Sequence, residues 1–269
     1  MIIGVRAHDY GKHSPADLFS AIAGDGWKTV QLAFPKAIKG VESFDDVTPD
    51  IANDIMAALS ESGVSIAVLG VYVDPALTNE EKRKEQVRFL LQALPHAKTL
   101  GARCVGTETS VRGDTADIRA LYRSLEELLP EAERLGVNVG IEPVHRHTLH
   151  TPELAKLMLK DFPSPNLKII FDPLNLLTPD TVKTQNELWK RSIDCFGEFI
   201  VAIHMKGASG ELDGNGMLAD KPFKSSILDH ETLFALFRTL PISTPILREG
   251  AIPAEATSDI EFIKGFLEE

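Results

Sequence analysis

Cysteine is scarce in this sequence, and its scarcity excludes two kinds of protein. Only Cys104 and Cys195 occur among the 269 residues, and no Cys-x-x-Cys pair is present. A small disulfide-stabilised fold needs several cysteine pairs, and structural zinc sites are built largely from cysteine thiolates. We therefore expect two reduced thiols in a cytoplasmic protein rather than a secreted disulfide framework.

Long apolar runs and an excess of basic residues are also missing. No apolar run approaches the roughly 18 residues of a membrane-spanning helix, and the first residues lack the apolar segment of a signal peptide. The 28 lysines and arginines are outnumbered by 39 aspartates and glutamates, which gives a net charge of −11. Nucleic-acid binders usually carry a basic face, so we expect neither a nucleic-acid nor a membrane partner.

The sequence does contain a regular alternation of short apolar runs and amphipathic segments. Most runs are rich in Val and Ile and apolar on both faces, as in a parallel sheet covered by helices. They occupy residues 2–7, 29–34, 64–73, 103–108, 137–142, 167–172, 199–205 and 245–250. Between them, segments such as 79–100 and 115–135 repeat apolar residues at three- and four-residue steps, which predicts helices.

Eight such strand–helix units predict a (β/α)8 TIM barrel, with residues 1–269 forming one α/β domain. The units average about 34 residues, which is close to the usual repeat of that fold. The rival is a doubly wound open sheet, which normally has a glycine-rich first turn, and residues 6–15 (RAHDYGKHSP) lack one. The glycine-rich segment 207–229 is the longest irregular stretch, and we expect it to act as a lid.

Polar residues end six of the eight predicted strands, namely His8, Glu108, Glu142, Asp172, His204 and Glu249. In a TIM barrel the site lies at the carboxyl ends of the strands. Glu142, Asp172 and His204 are spaced 30 and 32 residues apart, one strand–helix unit each. Neighbouring strands lie about 4.8 Å apart, so these three residues and Glu249 could converge on one ion.

Three carboxylates and one imidazole are a hard, oxygen-rich ligand set. Such a set suits Mn²⁺ first, with Mg²⁺, Co²⁺ or Zn²⁺ as alternatives, and differs from the thiolate-rich sites of structural zinc. Taken singly, Glu142 is explained as well by a helix cap or ion pair, and His204 by a hydrogen-bonded core histidine. Burial of three unpaired carboxylates is costly, so their occurrence together favours a metal site.

The sequences around these residues resemble the xylose isomerase-like TIM-barrel superfamily, in GIEPVHRH (140–147), IIFDPLN (169–175), AIHMKG (202–207) and LREG (247–250). The similarity extends over essentially the whole chain and is closest to the sugar (phosphate) isomerase/epimerase branch. It implies that Glu142, Asp172, His204 and Glu249 bind one divalent metal ion. It also implies that Glu142 and Glu249 are catalytic. One would remove the proton next to a ketose carbonyl, and the other would return it on the opposite face of a metal-stabilised enediolate.

This chain departs from the epimerases of that branch at three places. Asn175 stands where many relatives have a histidine, and residues 145–148 read HRHT where the epimerases have an Asn-Arg-Tyr-Glu-like run. Gly210 occupies the position of an arginine. In the epimerases these positions hold the sugar. The departures therefore leave the ligand set intact and point away from free-ketose 3-epimerisation.

Several polar residues near the strand ends are candidates for substrate binding. Lys206 lies two residues after His204, so it faces the same side of the strand and could reach an anionic group of the substrate. The other candidates are His8, Glu108, His145, Arg146 and Asn175. Each has a plainer alternative as a polar loop or rim residue, and the spacing of His147 identifies no role for it.

These residues lead to three hypotheses for an enzyme and one for a binding protein. The first is a cytoplasmic, divalent-metal-dependent isomerase or epimerase of a sugar or sugar phosphate. The second is a metal-dependent dehydratase or lyase on a keto-polyol, similar to the inosose dehydratases. The acidic charge disfavours an apurinic-site endonuclease, and the ligand set disfavours a non-catalytic sugar-binding barrel. We expect a small sugar or polyol as the partner, in a monomer or a homo-oligomer.

Overall fold

Ten strands are present in the computed structural model, which describes residues 1–268. They are β1 (Ile2–Arg6), β2 (Thr29–Leu32), β3 (Ser65–Gly70), β4 (Cys104–Glu108), β5 (Asn138–Glu142), β6 (Leu167–Phe171), β7 (Ile200–Met205), β8 (Gly207–Leu212), β9 (Leu218–Lys221) and β10 (Pro245–Arg248). Eight close into a parallel barrel in the order β1-β10-β7-β6-β5-β4-β3-β2, and β8 pairs with β9. The predicted TIM-barrel fold is confirmed.

Helices alternate with the barrel strands along the chain. They are α1 (Pro15–Gly24), α2 (Phe34–Ala37), α3 (Pro49–Ser62), α4 (Glu80–Thr99), α5 (Ile118–Leu135), α6 (Pro152–Asp161), α7 (Gln185–Phe196), α8 (His230–Phe237) and α9 (Ala256–Leu267). In α5, Ala120 donates its backbone N–H to the Asp117 carboxylate at 2.7 Å, and Gly136 ends the helix in the left-handed conformation. Within residues 1–268, no helix is long and apolar enough to cross a membrane.

A buried apolar layer closes the barrel beneath its carboxyl end. Ile170 lies in this layer beside Gly106 and Gly140, each two residues before a polar strand end and facing the same way as that strand end. An added Cβ would lie 2.7 Å from Ile170 Cδ1 at Gly106 and 2.9 Å from Ile170 Cγ1 at Gly140. Both positions therefore require glycine, because the isoleucine side chain fills the space.

Residues 207–221 form a hairpin, which corrects the prediction that 207–229 is an irregular segment. β8 and β9 pair antiparallel, with Gly207 opposite Lys221, and a short 3-10 helix (Phe223–Ser225) follows. At the tip, Asn215 and Met217 each donate a backbone N–H to Asp213 Oδ1 at 2.8 Å. The hairpin thus stands at the carboxyl rim of the barrel, directly after β7.

Smaller differences from the prediction concern the ends of strands. β1 ends at Arg6, and His8 lies in a 3-10 helix (Ala7–Tyr10) rather than at a strand end. Asp172 and Glu249 follow β6 and β10 by one residue. Both carboxylates still lie at the rim where the site was expected, so the shift changes no assignment at that end of the barrel.

Candidate active site

A cavity of about 190 Å³, here called the rim cavity, opens above the apolar layer at the carboxyl end of the barrel. Its polar lining comes from the ends of most barrel strands: Arg6, Gln31, Tyr72, Glu108, Glu142, Asn175, His204, Lys206 and Glu249. Alternate residues of a strand point to the same side, so these side chains form the layer above the floor. Glu108 and Glu142 are direct partners in the β4–β5 register and enter the cavity side by side.

Glu142, Asp172 and His204 form a buried cluster that could hold a metal ion. One ligand atom of each lies within 4.8 Å of the other two. Asp172 Oδ2 and His204 Nε2 are buried without a hydrogen-bond partner among the described residues. Buried polar atoms are nearly always hydrogen-bonded, so ligand atoms that lack such a bond fit a divalent cation, although Asp172 Oδ2 also lies near the Lys206 ammonium.

Glu249 lies next to this cluster rather than inside it. Its Oε1 is 3.3 Å from His204 Nδ1, and Glu142 Oε2 is 2.9 Å from the same nitrogen. Its Oε2 lies 3.3 Å from Lys206 Nζ and 3.6 Å from an Arg6 guanidinium nitrogen. The structure thus brings all four predicted ligands together, three within one cluster and Glu249 against the shared histidine.

The segment after β6 orients two of the carboxylates. Leu174 and Asn175 donate their backbone N–H groups to Asp172 Oδ1 at 2.8 and 3.0 Å. These bonds use one oxygen of Asp172 and leave Oδ2 turned to Lys206 Nζ, which is 3.2 Å away. The Asn175 side-chain amide donates to Glu142 Oε1 at 2.5 Å. Asn175, the departure from the family pattern, therefore fixes a predicted metal ligand.

Negative charge exceeds positive charge in this part of the barrel. Glu108, Glu142, Asp172 and Glu249 face one lysine and one arginine, Lys206 and Arg6, and Arg6 is shared with Asp9 at 2.8 Å. With His204 neutral, as a metal ligand must be, and with all four carboxyl groups ionised, as a bound cation would favour, the carboxylates outnumber these two cations by two. One divalent ion would balance that surplus, so the charges agree with the geometry of the cluster.

Burial and the neighbouring carboxylates raise the pKa of two carboxyl groups, Glu108 and Asp172. Burial raises the pKa of Glu108 to about 8, and the neighbouring Glu142 and Glu249 add to the effect. Burial also raises the pKa of Asp172 to about 6, although Lys206 acts against it. Both groups therefore hold their protons far more tightly than an exposed carboxyl does, as expected where like charges share a dry site.

The carboxylates also raise the pKa of the two cationic groups, His204 and Lys206, against the effect of burial. Burial alone would lower the pKa of His204, but Glu249, Glu142 and Asp172 outweigh it and raise this pKa to about 9. Asp172 and Glu249 likewise overcome burial at Lys206 and raise the pKa of its ammonium. Burial would raise the pKa of Glu249, yet His204, Lys206 and Arg6 lower it below the usual range. Glu249 is therefore an ionised carboxylate at neutral pH.

The predicted substrate-binding residues divide into those that line the rim cavity and those that do not. Lys206, Glu108 and Asn175 line it. His8 lies outside its lining and contacts the Tyr72 ring edge-on, with 5.8 Å between centroids. The ring of His145 lies 3.2 Å from the Asn175 carbonyl oxygen, which ties the two loops together.

A second, polar cavity adjoins the rim cavity beneath the β8–β9 hairpin. It measures about 490 Å³ and shares Glu108 and Asn175 with the rim cavity. Arg146 and His147 line it, together with residues of the hairpin tip. His147 Nδ1 lies 3.6 Å from Glu108 Oε2, and burial lowers the pKa of His147. The segment 145–148 therefore belongs to the surroundings of the rim cavity and not to its wall.

Two residues of the rim cavity escaped the sequence-based prediction. Arg6 in β1 contacts Glu249, and Gln31 in β2 donates its side-chain amide to the Tyr72 hydroxyl at 2.9 Å. Arg6 is the last residue of β1 and Gln31 lies inside β2, and each is a polar residue in an otherwise apolar strand. Such a residue on a strand buried on both faces is itself a signal of a site, because an unpaired polar group there would be costly.

Comparison with known proteins places this chain among TIM-barrel proteins. A family model described as "Xylose isomerase-like TIM barrel" matches residues 19–266. The chain is 25% identical over 153 residues to the 3'-dehydrocarminate deglycosidase alpha subunit of a Microbacterium species. That match covers 54% of this chain and 41% of the relative, so the chain spans less than half the length of this curated relative.

Solved structures share the fold over nearly their whole length. A D-tagatose 3-epimerase-like protein has a TM-score of 0.80 at 19% identity, covering 100% of this chain and 97% of that one. The 3-keto-D-glucoside 4-epimerase of E. coli has a TM-score of 0.74 at 17% identity, covering 98% and 99%. A xylose isomerase-like TIM barrel protein from Mycobacterium smegmatis, in complex with magnesium, has 0.74 at 16% identity, covering 99% and 96%. At these identities the likeness concerns the fold.

Proposed function

This chain belongs to the xylose isomerase-like TIM barrel family, and we propose that it is a divalent-metal-dependent sugar isomerase or epimerase. Its reaction would begin with removal of the proton next to a sugar carbonyl. One observation carries the proposal. Glu142, Asp172 and His204 converge within 4.8 Å, and Glu249 lies 3.3 Å from the same histidine. This arrangement joins a cation site to a second carboxylate that can move a proton.

The residues that would hold the ion are Glu142, Asp172 and His204, with Glu249 as the fourth. The set is supported by Asp172 Oδ2 and His204 Nε2, which take part in no hydrogen bond, and by four carboxyl groups that face two cationic groups. Oxygen-rich sites favour Mn²⁺, Mg²⁺ or Co²⁺, and Zn²⁺ is an alternative. When bound, the ion would polarise the sugar carbonyl and make the neighbouring C–H more acidic.

The chain's own residues would move the proton. Glu249 is ionised because His204, Lys206 and Arg6 surround it, which is the protonation state that a general base needs. The same contacts make it a weak base, so removal of the proton from the carbon next to the carbonyl would depend on a C–H made more acidic by the polarised carbonyl. Glu142, held in position by the Asn175 amide at 2.5 Å, would take up a proton from water and return it to the opposite face, and Glu249 would pass its own proton to water to complete the turnover. Lys206, against both Asp172 and Glu249, would donate to a substrate oxygen that becomes negative.

The substrate class that agrees best with these groups is a keto sugar. The cavity of about 190 Å³ is smaller than the roughly 300–1,000 Å³ of drug-sized sites, so it suits one sugar ring. A 3-keto-D-glucoside is the substrate named for one structural neighbour, and 3'-dehydrocarminate for the sequence relative. We therefore choose 3-keto-glucosides as the first compounds to test.

A second candidate, a lyase on the same keto sugar, is favoured by one finding, namely the match to a deglycosidase subunit. The first step would be the same removal of a proton by a carboxylate. The electron pair of that C–H bond would then form a carbon–carbon double bond. The group on the next carbon would leave with its bonding pair instead of a proton returning. The same active-site groups serve either outcome, because only the fate of the intermediate differs.

Solvent deuterium exchange tests the proposal. We expect the protein with Mn²⁺ to place deuterium from D₂O next to the carbonyl of methyl 3-keto-β-D-glucoside, or to release methanol if it is a lyase. Glu142→Gln and Glu249→Gln should each lower the rate at least 100-fold, because an amide cannot accept the proton. The exposed Glu198→Gln is the control and should match wild type. Neither exchange nor release by the wild type, or full activity in both site variants, would overturn the proposal.

A further inference from the structure

A third cavity lies beside the rim cavity and differs from it in chemistry. It measures about 280 Å³ and is here called the apolar cleft. Most of its lining is apolar or aromatic: Ala33, Pro35, Phe44, Val71, Tyr72, Val73 and Phe89. It lies between the segment after β2, the end of β3 and helix α4. An open apolar concavity beside a polar site is typical of a place that receives a ligand group.

The apolar cleft and the rim cavity share a wall. Gly70, Val71 and Tyr72 line both spaces. The Tyr72 hydroxyl accepts the Gln31 amide on the side of the rim cavity, and 41% of the Tyr72 surface is exposed. An amphipathic tyrosine at such a boundary presents its hydroxyl to a polar group and its ring to an apolar one. A ligand that enters both spaces would therefore be polar at one end and apolar at the other.

One cation covers the aromatic wall of the cleft. Lys36 Nζ lies 3.3 Å from the centroid of the Tyr72 ring. The lysine follows β2 on the short helix α2 and lines the cleft itself. A flexible lysine stem can swing away from the ring and leave the aromatic face open to a ligand. The aromatic wall of the open cleft is thus covered by a flexible side chain and not by tightly packed core residues.

The polar cavity beneath the hairpin offers no such environment. Its lining includes Glu108, Arg146, His147, Asn175 and Asn215, so it would suit hydroxyl groups or water. An apolar group attached to a sugar in the rim cavity would leave those polar side chains unpaired if it entered there. The apolar cleft is therefore the compartment that matches an apolar group.

We propose that the apolar cleft binds the aglycone of a keto-glycoside, and that this aglycone is aromatic. The inference rests on the proposed function, which puts the sugar ring in the rim cavity. Tyr72, Phe44 and Phe89 supply aromatic walls, and the volume of about 280 Å³ limits the group to a small ring system. The chain would then select glycosides by their aglycone, using residues separate from the metal ligands.

Paired substrates test the inference. Phenyl and methyl 3-keto-β-D-glucosides carry the same sugar and differ only in the aglycone. We expect wild type to favour the phenyl glycoside about tenfold or more in kcat/KM and in the dissociation constant, because ring burial is favourable. Val73→Trp should fill the cleft and remove most of this preference. Phe89→Ala should also reduce it and serves if the tryptophan variant fails to fold.

A matched variant and a binding measurement keep the two proposals apart. Val111→Trp places the same side chain in the polar cavity and should keep the phenyl preference of wild type. Equal kcat/KM for the two glycosides in wild type, or equal loss of preference in Val73→Trp and Val111→Trp, would overturn the inference. If neither glycoside exchanges deuterium or releases its aglycone, the proposed function fails. Calorimetry then measures the dissociation constants of both glycosides. Equal affinities, or no detectable binding of either glycoside, would reject the proposed aglycone site.

Discussion

Glu142 is held by two side chains, one from the segment after β6 and one from β7. Asn175 donates to its Oε1 at 2.5 Å, and His204 Nδ1 lies 2.9 Å from its Oε2. A carboxylate fixed in this way loses little further freedom when the substrate arrives. Groups that are already in position lower the free energy needed to reach the reactive geometry, and this increases the reaction rate.

Metal binding should release a proton and tighten as the pH rises. The pKa of about 9 means that His204 is protonated at neutral pH without the ion, and a metal ligand must give that proton up. Lowering the pH therefore favours the metal-free protein. Near and below its pKa of about 6, Asp172 adds a second proton to the competition. We expect the affinity for Mn²⁺ to rise about tenfold per pH unit between about pH 6.5 and 8.5.

Calorimetry in buffers of different ionisation enthalpy would count the protons released by metal binding. His204→Gln should bind Mn²⁺ more weakly, and its affinity should depend less on pH, because glutamine has no proton to lose. His13→Gln, at an exposed position outside the rim cavity, is the control and should keep the wild-type slope. An affinity for Mn²⁺ in wild type that stays constant over this range would contradict the assignment of His204.

The sequence was informative about single residues wherever a strand ended on a ligand-type side chain. Spacing along the chain predicted that Glu142, Asp172 and His204 would meet, because parallel strands bring their ends to one rim. It could not predict that Asn175 binds Glu142 or that Arg6 reaches Glu249. Those contacts depend on side-chain rotamers and on which strands pair to close the barrel. The spacing of residues along the sequence predicts neither. His8 was misplaced because the chain turns into a 3-10 helix after Arg6.

The apolar layer beneath the rim cavity is packed around glycines of the barrel strands. Gly106→Ala should lower the free energy of unfolding by about 1–3 kcal/mol, because the new Cβ would meet Val68 and Ile170 in a packed interior. Gly113→Ala is the matched control. No atom lies within 4 Å of a Cβ added there, so the change should stay within about 0.5 kcal/mol. Urea unfolding measures both variants, and equal stability of the two would show that the floor can relax.

Whole elements were easier to predict than their ends. Apolar runs and leucine spacing located all eight barrel strands and the long helices, since burial on both faces leaves a strong signal. The hairpin formed by β8 and β9 was missed, because its glycines and exposed positions dilute the alternation that marks a half-buried strand. Several strand ends differ from the predicted ones by one to three residues. At Asp172 the hydrogen bonding between strands stops one residue before the last inward-facing side chain.

The balance of charge at the rim should make the stability of the entire barrel depend on metal. Four carboxylates crowd one end of the protein, and an ion that binds only the folded chain would relieve their repulsion. At a concentration 100 times its dissociation constant, Mn²⁺ should add about 2.7 kcal/mol to the free energy of unfolding. Thermal unfolding with Mn²⁺ and with a chelator measures this difference as a rise in Tm of several degrees.

His204→Gln should remove most of the Tm difference between Mn²⁺ and chelator, whereas His13→Gln should keep it. An identical Tm for wild type under both conditions would argue against a specific ion at the rim. A rise shared equally by His204→Gln would locate the ion elsewhere in the protein, since any bound ligand stabilises the fold that binds it.

The ring of barrel hydrogen bonds closes without the hairpin. β10 pairs directly with β7, and within residues 1–268 β8 pairs only with β9. The length and tip of the hairpin can therefore change without altering the register of the barrel strands that position the predicted ligands. Its tip nevertheless lines the polar cavity next to the rim cavity, through Gly214, Asn215 and Met217. A change at the hairpin tip would therefore reshape the polar cavity without moving the strands that position Glu142 and His204.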